Sequence, residues 1–303
     1  RLKLSSSHRG IQGMIVKLSN QRTDYIARER GSDATYRVYE KAVIKAMGFD
    51  CATKEQTSDA SRTLSPLVDD MNLRRFRIAV SVTGEYTDYH GGTVADALAA
   101  INATLTRVNQ VFENDFGVTL ELVPNNDEII FTDPDTDPYS GNLVAQSQTT
   151  INGTIGAGNY DVGHLFNRVG QGQDNGNAGS IGTVCRDNLK GGAFSAAFEP
   201  EGDTFDIDYV AHEIGHQFGA NHTWSFQSEG TGVQAEPGSG TTIMGYAGIV
   251  PGDNVQLNSD DYFHYNSIFQ VQGYLGTIGC GQSQAITNTP PVVVPSDNFN
   301  IPI

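Results

Sequence analysis

The sequence is poor in basic residues and has no long apolar runs. Lysine and arginine number 19 against 35 aspartates and glutamates, which gives a net charge of −16 at pH 7. This imbalance argues against nucleic acid or an anionic membrane surface as a partner. No apolar run approaches the roughly 20 residues that a membrane-spanning helix needs. The composition therefore indicates a soluble protein that works outside cells, and we expect a monomer.

Length and composition shifts suggest three parts. The 303 residues allow one medium-sized domain with extensions. The chain starts at Arg1 without the apolar core of a signal peptide, so we expect that an export signal has been removed. We predict an N-terminal segment that ends in a linker at 1–72, a main domain at 73–281, and a tail at 282–303 leading to further modules. The polar segment 55–70 and the proline-rich tail are typical of linkers.

Residues 212–222 carry the pattern His-Glu-x-x-His-x-x-Gly-x-x-His. Two histidines four residues apart lie on one face of a helix, so His212 and His216 can reach one metal ion. Gly219 can end the helix in a left-handed conformation, which would return His222 as a third ligand. Three neutral imidazoles leave one position open on Zn²⁺, as in a catalytic site. Glu213 stands where a general base would act on water.

The same segment reads as a helix from its apolar spacing. Phe205, Val210, Ile214 and Phe218 recur at helical intervals, and Thr204 or Asp206 is available as N-cap. The alternative is an ordinary helix whose two histidines bind no metal, but that interpretation leaves the third histidine without an explanation.

Downstream, residues 241–246 read Thr-Thr-Ile-Met-Gly-Tyr, with Met244 lying 22 residues after His222. The histidine pattern followed by such a methionine resembles the metzincin clan of zinc endopeptidases. The resemblance implies that Met244 forms an apolar floor beneath the three histidines. Tyr246 has two interpretations: it approaches the zinc and the oxyanion, or it lines the cleft wall.

Three further stretches, 160–166, 179–185 and 238–244, resemble the reprolysin (adamalysin) branch in a bacterial secreted version. The resemblance covers about residues 73–281. Reprolysins usually follow the third histidine with aspartate, whereas this chain has Thr223, so the peptide specificities of the animal and venom groups are not carried over. Calcium is a candidate second metal, because Asp161 aligns with a calcium ligand of reprolysins. The companion acidic residue on the first strand is not apparent.

Strand and helix patterns alternate along the catalytic region. Strands are predicted at 76–82, 118–122 and 160–166, a short edge strand at 192–198, and helices at 94–112, 142–155 and 262–275. Strand-like pieces at 13–18 and 35–39 precede the linker. We expect an α/β fold of the metzincin type: a twisted, mostly parallel five-stranded sheet with an antiparallel edge strand, long helices, an active-site helix, a Met-turn and a small C-terminal subdomain.

Three cysteines cannot all pair within one chain. The resemblance implies a disulfide between Cys185 and Cys280, which leaves Cys51 in the segment before the linker. Zymogens of reprolysins and matrix metalloproteases place a propeptide thiolate on the zinc, so Cys51 is a candidate latency ligand. The alternatives are a buried inert thiol or a disulfide between Cys51 and another cysteine. Residues 1–72 would then be a propeptide remnant with its activation linker, and residues 73–281 the catalytic domain. Cleavage within 55–70 or at Leu73-Arg74-Arg75 would release the propeptide.

The function implied is a secreted, zinc-dependent endopeptidase that acts on peptides and proteins. The strand near 192–198 would bind substrate as an added strand, and the pocket after Met244 would select the residue that follows the cleaved bond. Two other classes stay open: a catalytically silent zinc-containing adhesion or binding module, and a zinc hydrolase of a non-peptide substrate. The intact Glu213 argues against the silent module.

Overall fold

The computed structural model describes residues 1–17, 22–29, 32, 35–41, 48–55 and 71–287. The predicted linker, apart from its first residue, and the end of the predicted tail lie outside these ranges. None of the described helices combines the length and the apolar composition that crossing a bilayer requires.

The N-terminal segment forms its own antiparallel sheet. The strands β1 (Leu2–Ser7), β2 (Gly10–Lys17), β3 (Arg22–Arg28) and β4 (Tyr36–Glu40) pair in sequence order. Further along, β5 (Asp50–Cys51) leaves this sheet and joins the main one. The two strand-like pieces expected in this region are thus strands of one sheet.

The region from residue 71 onwards, which contains the predicted catalytic domain, is built on a mostly parallel sheet. Its elements in chain order are β6 (Asn72–Val82), α1 (Gly84–Tyr89), α2 (Val94–Asp115), β7 (Val118–Leu122), α3 (Leu143–Thr154), β8 (Val162–Arg168), β9 (Asn175–Asn177), β10 (Phe194–Ala197), α4 (His212–Gln217), α5 (Tyr265–Leu275) and β11 (Gln282–Ala285). The strands β7, β6, β8 and β10 are parallel, and β9 runs antiparallel at the edge of these five. The expected mixed α/β fold with a mostly parallel sheet is confirmed.

Two additions extend this sheet to seven strands. The strand β11 pairs antiparallel with the first residues of β6, on the side of β6 that faces away from β7. The strand β5 pairs parallel with β9. The expectation that residues 192–198 form the edge strand was wrong, because β10 lies between β8 and β9. Among the five strands that follow residue 71 in this sheet core, the edge strand is β9, and β5 of the N-terminal segment is added to it. The Asn-Gly-Asn sequence of β9 is too short and too polar to show an alternating pattern.

The helix that leads into the site is anchored by aromatic and ionic contacts. Phe218 meets Phe76 of β6 and Phe112 of α2 edge-on, with ring centroids 5.2 and 5.6 Å apart. A π-helical segment, Thr204–Ala211, runs directly into α4. Within it, Asp206 is buried and accepts hydrogen bonds from Arg107 (2.7 Å) and Thr104 (2.7 Å) of α2.

The suggestion that Thr204 or Asp206 caps the helix was wrong, because both residues lie inside the π-helical segment and the carboxylate of Asp206 instead neutralises buried Arg107.

Candidate metal centre

The helix α4 and the turn after it bring three histidines together. His212 and His216 project from one face, and Gly219, with a φ of +105°, turns the chain back so that His222 faces them. The Nε2 atom of His222 lies 3.3 Å from that of His212 and 3.1 Å from that of His216. All three side chains are buried. The sequence motif and the left-handed turn therefore produce the convergent set that the pattern predicted.

The rings of His212 and His216 are oriented by carbonyl groups on their far sides. Nδ1 of His212 donates to the Ile243 carbonyl and Nδ1 of His216 donates to that of Ala220, each across 2.7 Å. A proton on Nδ1 leaves Nε2 with a free lone pair, which is the form that binds a metal. Burial lowers the pKa of His212 to about 3 and that of His216 well below its ordinary value, so both are neutral at pH 7.

His222 is oriented by acidic groups. Its Nδ1 lies 2.6 Å from Oε1 of Glu55 and 3.4 Å from Oε2 of Glu229. Burial opposes the charged ring, but Cys51, Glu229 and Glu55 raise the pKa of His222 well above its ordinary value. A carboxylate on the far nitrogen of a metal-binding histidine is a common arrangement. The sequence pattern gave no sign of Glu55, because it is 167 residues away along the chain.

Cys51 completes the group. Its Sγ lies 3.5 Å from Nε2 of His216, and this sulfur and the three imidazole nitrogens all lie within 4.8 Å of one another. Zn–N bonds of about 2.0–2.1 Å and a Zn–S bond of about 2.3 Å at tetrahedral angles would separate nitrogens by about 3.3 Å and nitrogen from sulfur by about 3.5 Å. The two nitrogen–nitrogen distances of His222 and the sulfur–nitrogen distance between Cys51 and His216 are close to these values, so the donor set fits a zinc ion.

The N-terminal segment reaches this group by pairing with the edge strand. Cys51 lies opposite Gly176 of β9, and the Ala52 N–H donates to the Gly176 carbonyl across 2.9 Å. Next to it, Thr53 donates from Oγ1 to Glu213 Oε2 at 3.0 Å. The Ala178 N–H in turn donates to the same threonine oxygen at 2.7 Å. Residues 51–53 thus contact both the histidine group and Glu213.

Glu213 lies beneath the edge strand in a dry environment. It is fully buried, and burial raises its pKa to about 7. A Cβ on Gly176 would come within 2.4 Å of Glu213 Oε1, so glycine is required where the strand crosses this carboxyl group. A carboxyl group with a pKa near neutrality can both accept and release a proton at pH 7.

Met244 and Tyr246 both lie close to the histidine-bearing segment. Met244 is fully buried, and a Cβ on Gly215 would come within 2.9 Å of its sulfur, so α4 packs closely on the methionine. The ring of Tyr246 lies 4.7 Å from that of His222 and 6.0 Å from that of His212. Both positions are compatible with the predicted floor and cleft-lining roles.

A buried glutamate connects the segment after the third histidine to the Met-turn, the turn at residues 241–246 that carries Met244. Glu236 accepts hydrogen bonds from the hydroxyls of Thr223 and Thr242 and from the Thr241 and Thr242 N–H groups. These bonds lower the pKa of Glu236 although its burial works in the other direction. Thr223, the departure from the reprolysin pattern, therefore holds the Met-turn through Glu236.

The remaining predicted residues lie away from the histidines. Cys185 and Cys280 are joined in a disulfide with their Cα atoms 5.8 Å apart, and Cys51 is free. Both carboxylate oxygens of Asp161 accept hydrogen bonds from the Arg77 guanidinium, at 2.7 and 3.1 Å. This cation already neutralises Asp161, and calcium binding there stays a prediction. His164 is fully buried between Gln217 and Ser195.

Comparison with known families gives one match. The profile described as Metallo-peptidase family M12B Reprolysin-like matches residues 73–274, two thirds of the chain. The match includes the three histidines, Glu213 and Met244, and it begins after the segment that carries Cys51. A comparison with curated proteins finds no match.

Proposed function

Because the chain belongs to the M12B reprolysin-like family of metallopeptidases, we propose that it is a secreted zinc endopeptidase held latent by its own N-terminal segment. The observation that carries the proposal is the convergence of Cys51 and three histidines, whose ligand atoms all lie within 4.8 Å of one another, with Cys51 Sγ 3.5 Å from His216 Nε2. The Cys185–Cys280 disulfide supports an oxidising, extracellular location.

His212, His216 and His222 would hold the zinc ion, with the Ile243 and Ala220 carbonyls and Glu55 fixing their orientation. Zinc bound there supplies a Lewis acid that activates water and polarises the scissile carbonyl. Glu213 would accept the proton of the attacking water and pass it to the leaving amine. Its pKa of about 7 suits both transfers. Met244 would keep the histidine rings in place from below, and the Tyr246 hydroxyl would donate a hydrogen bond to the carbonyl oxygen of the substrate, where negative charge develops.

A peptide substrate would occupy the edge of β9. In the structure that edge is taken by residues 50–52, whose backbone donates to Asp174 and Gly176 carbonyls. An extended substrate can add to the same edge, where main-chain hydrogen bonds would position its scissile bond. The segment and the substrate therefore compete for one place, which supports latency.

Release of the segment would require cleavage before β6. The basic stretch at residues 73–75 lies inside this strand, where the Arg74 N–H donates to the Gly117 carbonyl across 2.7 Å and β11 pairs along the same residues. Cleavage there would remove paired strand residues, so we propose a site upstream of Met71. We keep the boundaries 1–72 for the propeptide with its linker, 73–281 for the catalytic domain and 282–303 for the tail. Cleavage upstream of Met71 would leave the last residues of 1–72 on the catalytic domain, and Gln282–Ala285 of the tail already pairs with β6.

The test is to incubate the purified chain and follow its N-terminal sequence together with hydrolysis of casein. We expect activity to rise as residues before Met71 are lost, to vanish with a zinc chelator and to return with zinc. Full activity after exhaustive chelation would contradict the proposal. A zinc-loaded chain that has lost the segment and cleaves no protein would favour a silent binding module or a hydrolase of non-peptide substrates.

A further inference from the structure

A lysine of the N-terminal segment is seated in an acidic pocket of the catalytic region. Nζ of Lys41 donates to Asp208 Oδ1 at 3.0 Å, to Asp261 Oδ1 at 3.1 Å and to the Ser259 carbonyl at 2.5 Å. Three acceptors satisfy all three donors of an ammonium group. The lysine side chain is 15% exposed and the two carboxylates are each 8% exposed, so this contact is largely removed from water.

The acidic pocket needs a cation. Asp208 Oδ2 is buried and has no hydrogen-bond partner among the described residues. If Lys41 leaves with the N-terminal segment, the two carboxylates lose the cation that neutralises them and remain as like charges close to each other. Two neighbouring carboxylates disfavour each other's charged form. The pocket of Asp208, Asp261 and the Ser259 carbonyl is therefore prepared to accept another positive group.

The pocket borders the cleft. Asp208 lies about one turn before His212 on the same continuous helix, and both residues line one small cavity with Ser259, Tyr246 and Phe49. Phe49, two residues before Cys51, stacks on Tyr209 with ring centroids 4.1 Å apart. A peptide that replaces the N-terminal segment at the histidines thus passes within reach of the acidic pocket.

Resting on the proposed release of the N-terminal segment, we propose that Asp208, Asp261 and the Ser259 carbonyl select a basic side chain of the peptide substrate, with lysine as the best fit. The three oxygens match the three donors of an ammonium group, as Lys41 demonstrates. Calcium takes about 6–8 oxygen ligands, more than these three groups direct at Lys41. The same pocket would bind the propeptide in the latent chain and the substrate in the active one.

The test uses the full chain after release of its N-terminal segment, with pairs of peptides that carry lysine or glutamine at each position around the cleaved bond. We expect one position where lysine raises kcat/KM at least about 10-fold over glutamine, which corresponds to about 1.4 kcal/mol. Asp261→Asn should bring this ratio close to one. Asp253→Asn, at an exposed position, is the control for loss of a charge and should keep the ratio.

A binding measurement separates this inference from the proposed function. The Glu213→Ala chain, with its segment removed by an added protease, should bind the lysine peptide at least about tenfold more tightly than the glutamine peptide, without any turnover. Equal binding, or a lysine preference that survives in both Asp261→Asn and Asp208→Asn, would overturn the inference. Calcium that displaces the lysine peptide at micromolar concentration would also overturn it, by assigning the pocket to a metal. Absence of all chelator-sensitive hydrolysis would contradict only the proposed function.

Discussion

Thr53 Oγ1 donates a hydrogen bond to Glu213 Oε2 across 3.0 Å, which joins the N-terminal segment to the carboxyl group next to the first histidine of the motif. Two residues earlier, Cys51 Sγ faces His216. One short stretch therefore contacts both the histidine group and the proposed general base. A variant that removes the Cys51 contact leaves the Thr53 contact in place, and the reverse also holds. We therefore expect that latency depends on both contacts together and that a single substitution relieves it only in part.

Replacing Glu213 tests the proposed base. In the chain freed of its N-terminal segment, Glu213→Ala should keep about one zinc per molecule because the three histidines are unchanged. Peptidase activity should fall by about 10²–10⁴-fold, the usual contribution of a positioned general base. Metal analysis and kcat measured on one preparation check both statements. Full activity in the variant would remove Glu213 from the mechanism.

Replacing Cys51 tests the latency ligand. Cys51→Ala removes the sulfur while the Thr53 contact to Glu213 remains, so we expect partial activity in the uncleaved chain or faster self-cleavage. Cys51→Ser keeps the size of the side chain but provides only a weak zinc ligand, so it is the matched control for loss of packing. It should also give partial activity in the uncleaved chain or faster self-cleavage. X-ray absorption of the intact zinc-loaded chain should show one sulfur at about 2.3 Å. A first shell of nitrogen and oxygen alone would contradict the cysteine switch.

The three cysteines should differ in their reaction with a thiol reagent. Cys185 and Cys280 are bonded to each other, so the non-reduced, denatured chain should expose one thiol, that of Cys51. In the native zinc-loaded chain this thiol should react slowly, and chelation should accelerate the reaction because the sulfur is no longer held by the metal. Cys51→Ala should leave no reactive thiol. A count of three, or a chain without any free thiol, would contradict this pairing.

Local sequence patterns account for much of the site. The spacing of His212, His216 and His222 acts through a single helix and one turn, so it can be read from 11 consecutive residues. The alternating apolar residues of β6 and the helical spacing of α2 likewise depend only on neighbours in the chain. Cys51 was singled out by the odd number of cysteines rather than by any feature of its own segment.

The parts that could not be predicted depend on contacts between distant segments. Glu55 reaches His222, Lys41 reaches Asp208 and Thr53 reaches Glu213, each pair at least 160 residues apart. The spacing of apolar and polar residues along the chain does not indicate such contacts. The strand β9 has only three residues and takes its conformation from its neighbours β10 and β5. Its place in the sheet, between β10 and β5, therefore follows from pairing with these strands and not from propensity.

Buried His164 should make stability depend on pH. Its Nδ1 and Nε2 lie 3.0 Å from Gln217 Oε1 and Ser195 Oγ, and burial lowers its pKa to about 4 from an unfolded value of 6.5. Below pH 6.5 His164 binds a proton in the unfolded chain, whereas in the folded chain it stays neutral until the pH falls to about 4. The stabilisation is therefore complete above pH 6.5 and is lost as the pH falls to 4, by about 3 kcal/mol.

The other buried histidines, His212 and His216, also take up protons in the unfolded chain over this range, so the effect of His164 must be isolated by difference. His164→Gln keeps a hydrogen-bonding side chain that does not titrate, and its free energy of unfolding should fall less steeply between pH 6.5 and 4 than that of the unchanged chain. Urea denaturation at several pH values, with zinc held in excess, gives the two slopes. Parallel slopes would mean that His164 takes up its proton equally in the folded and unfolded chains, contrary to its position between Gln217 and Ser195.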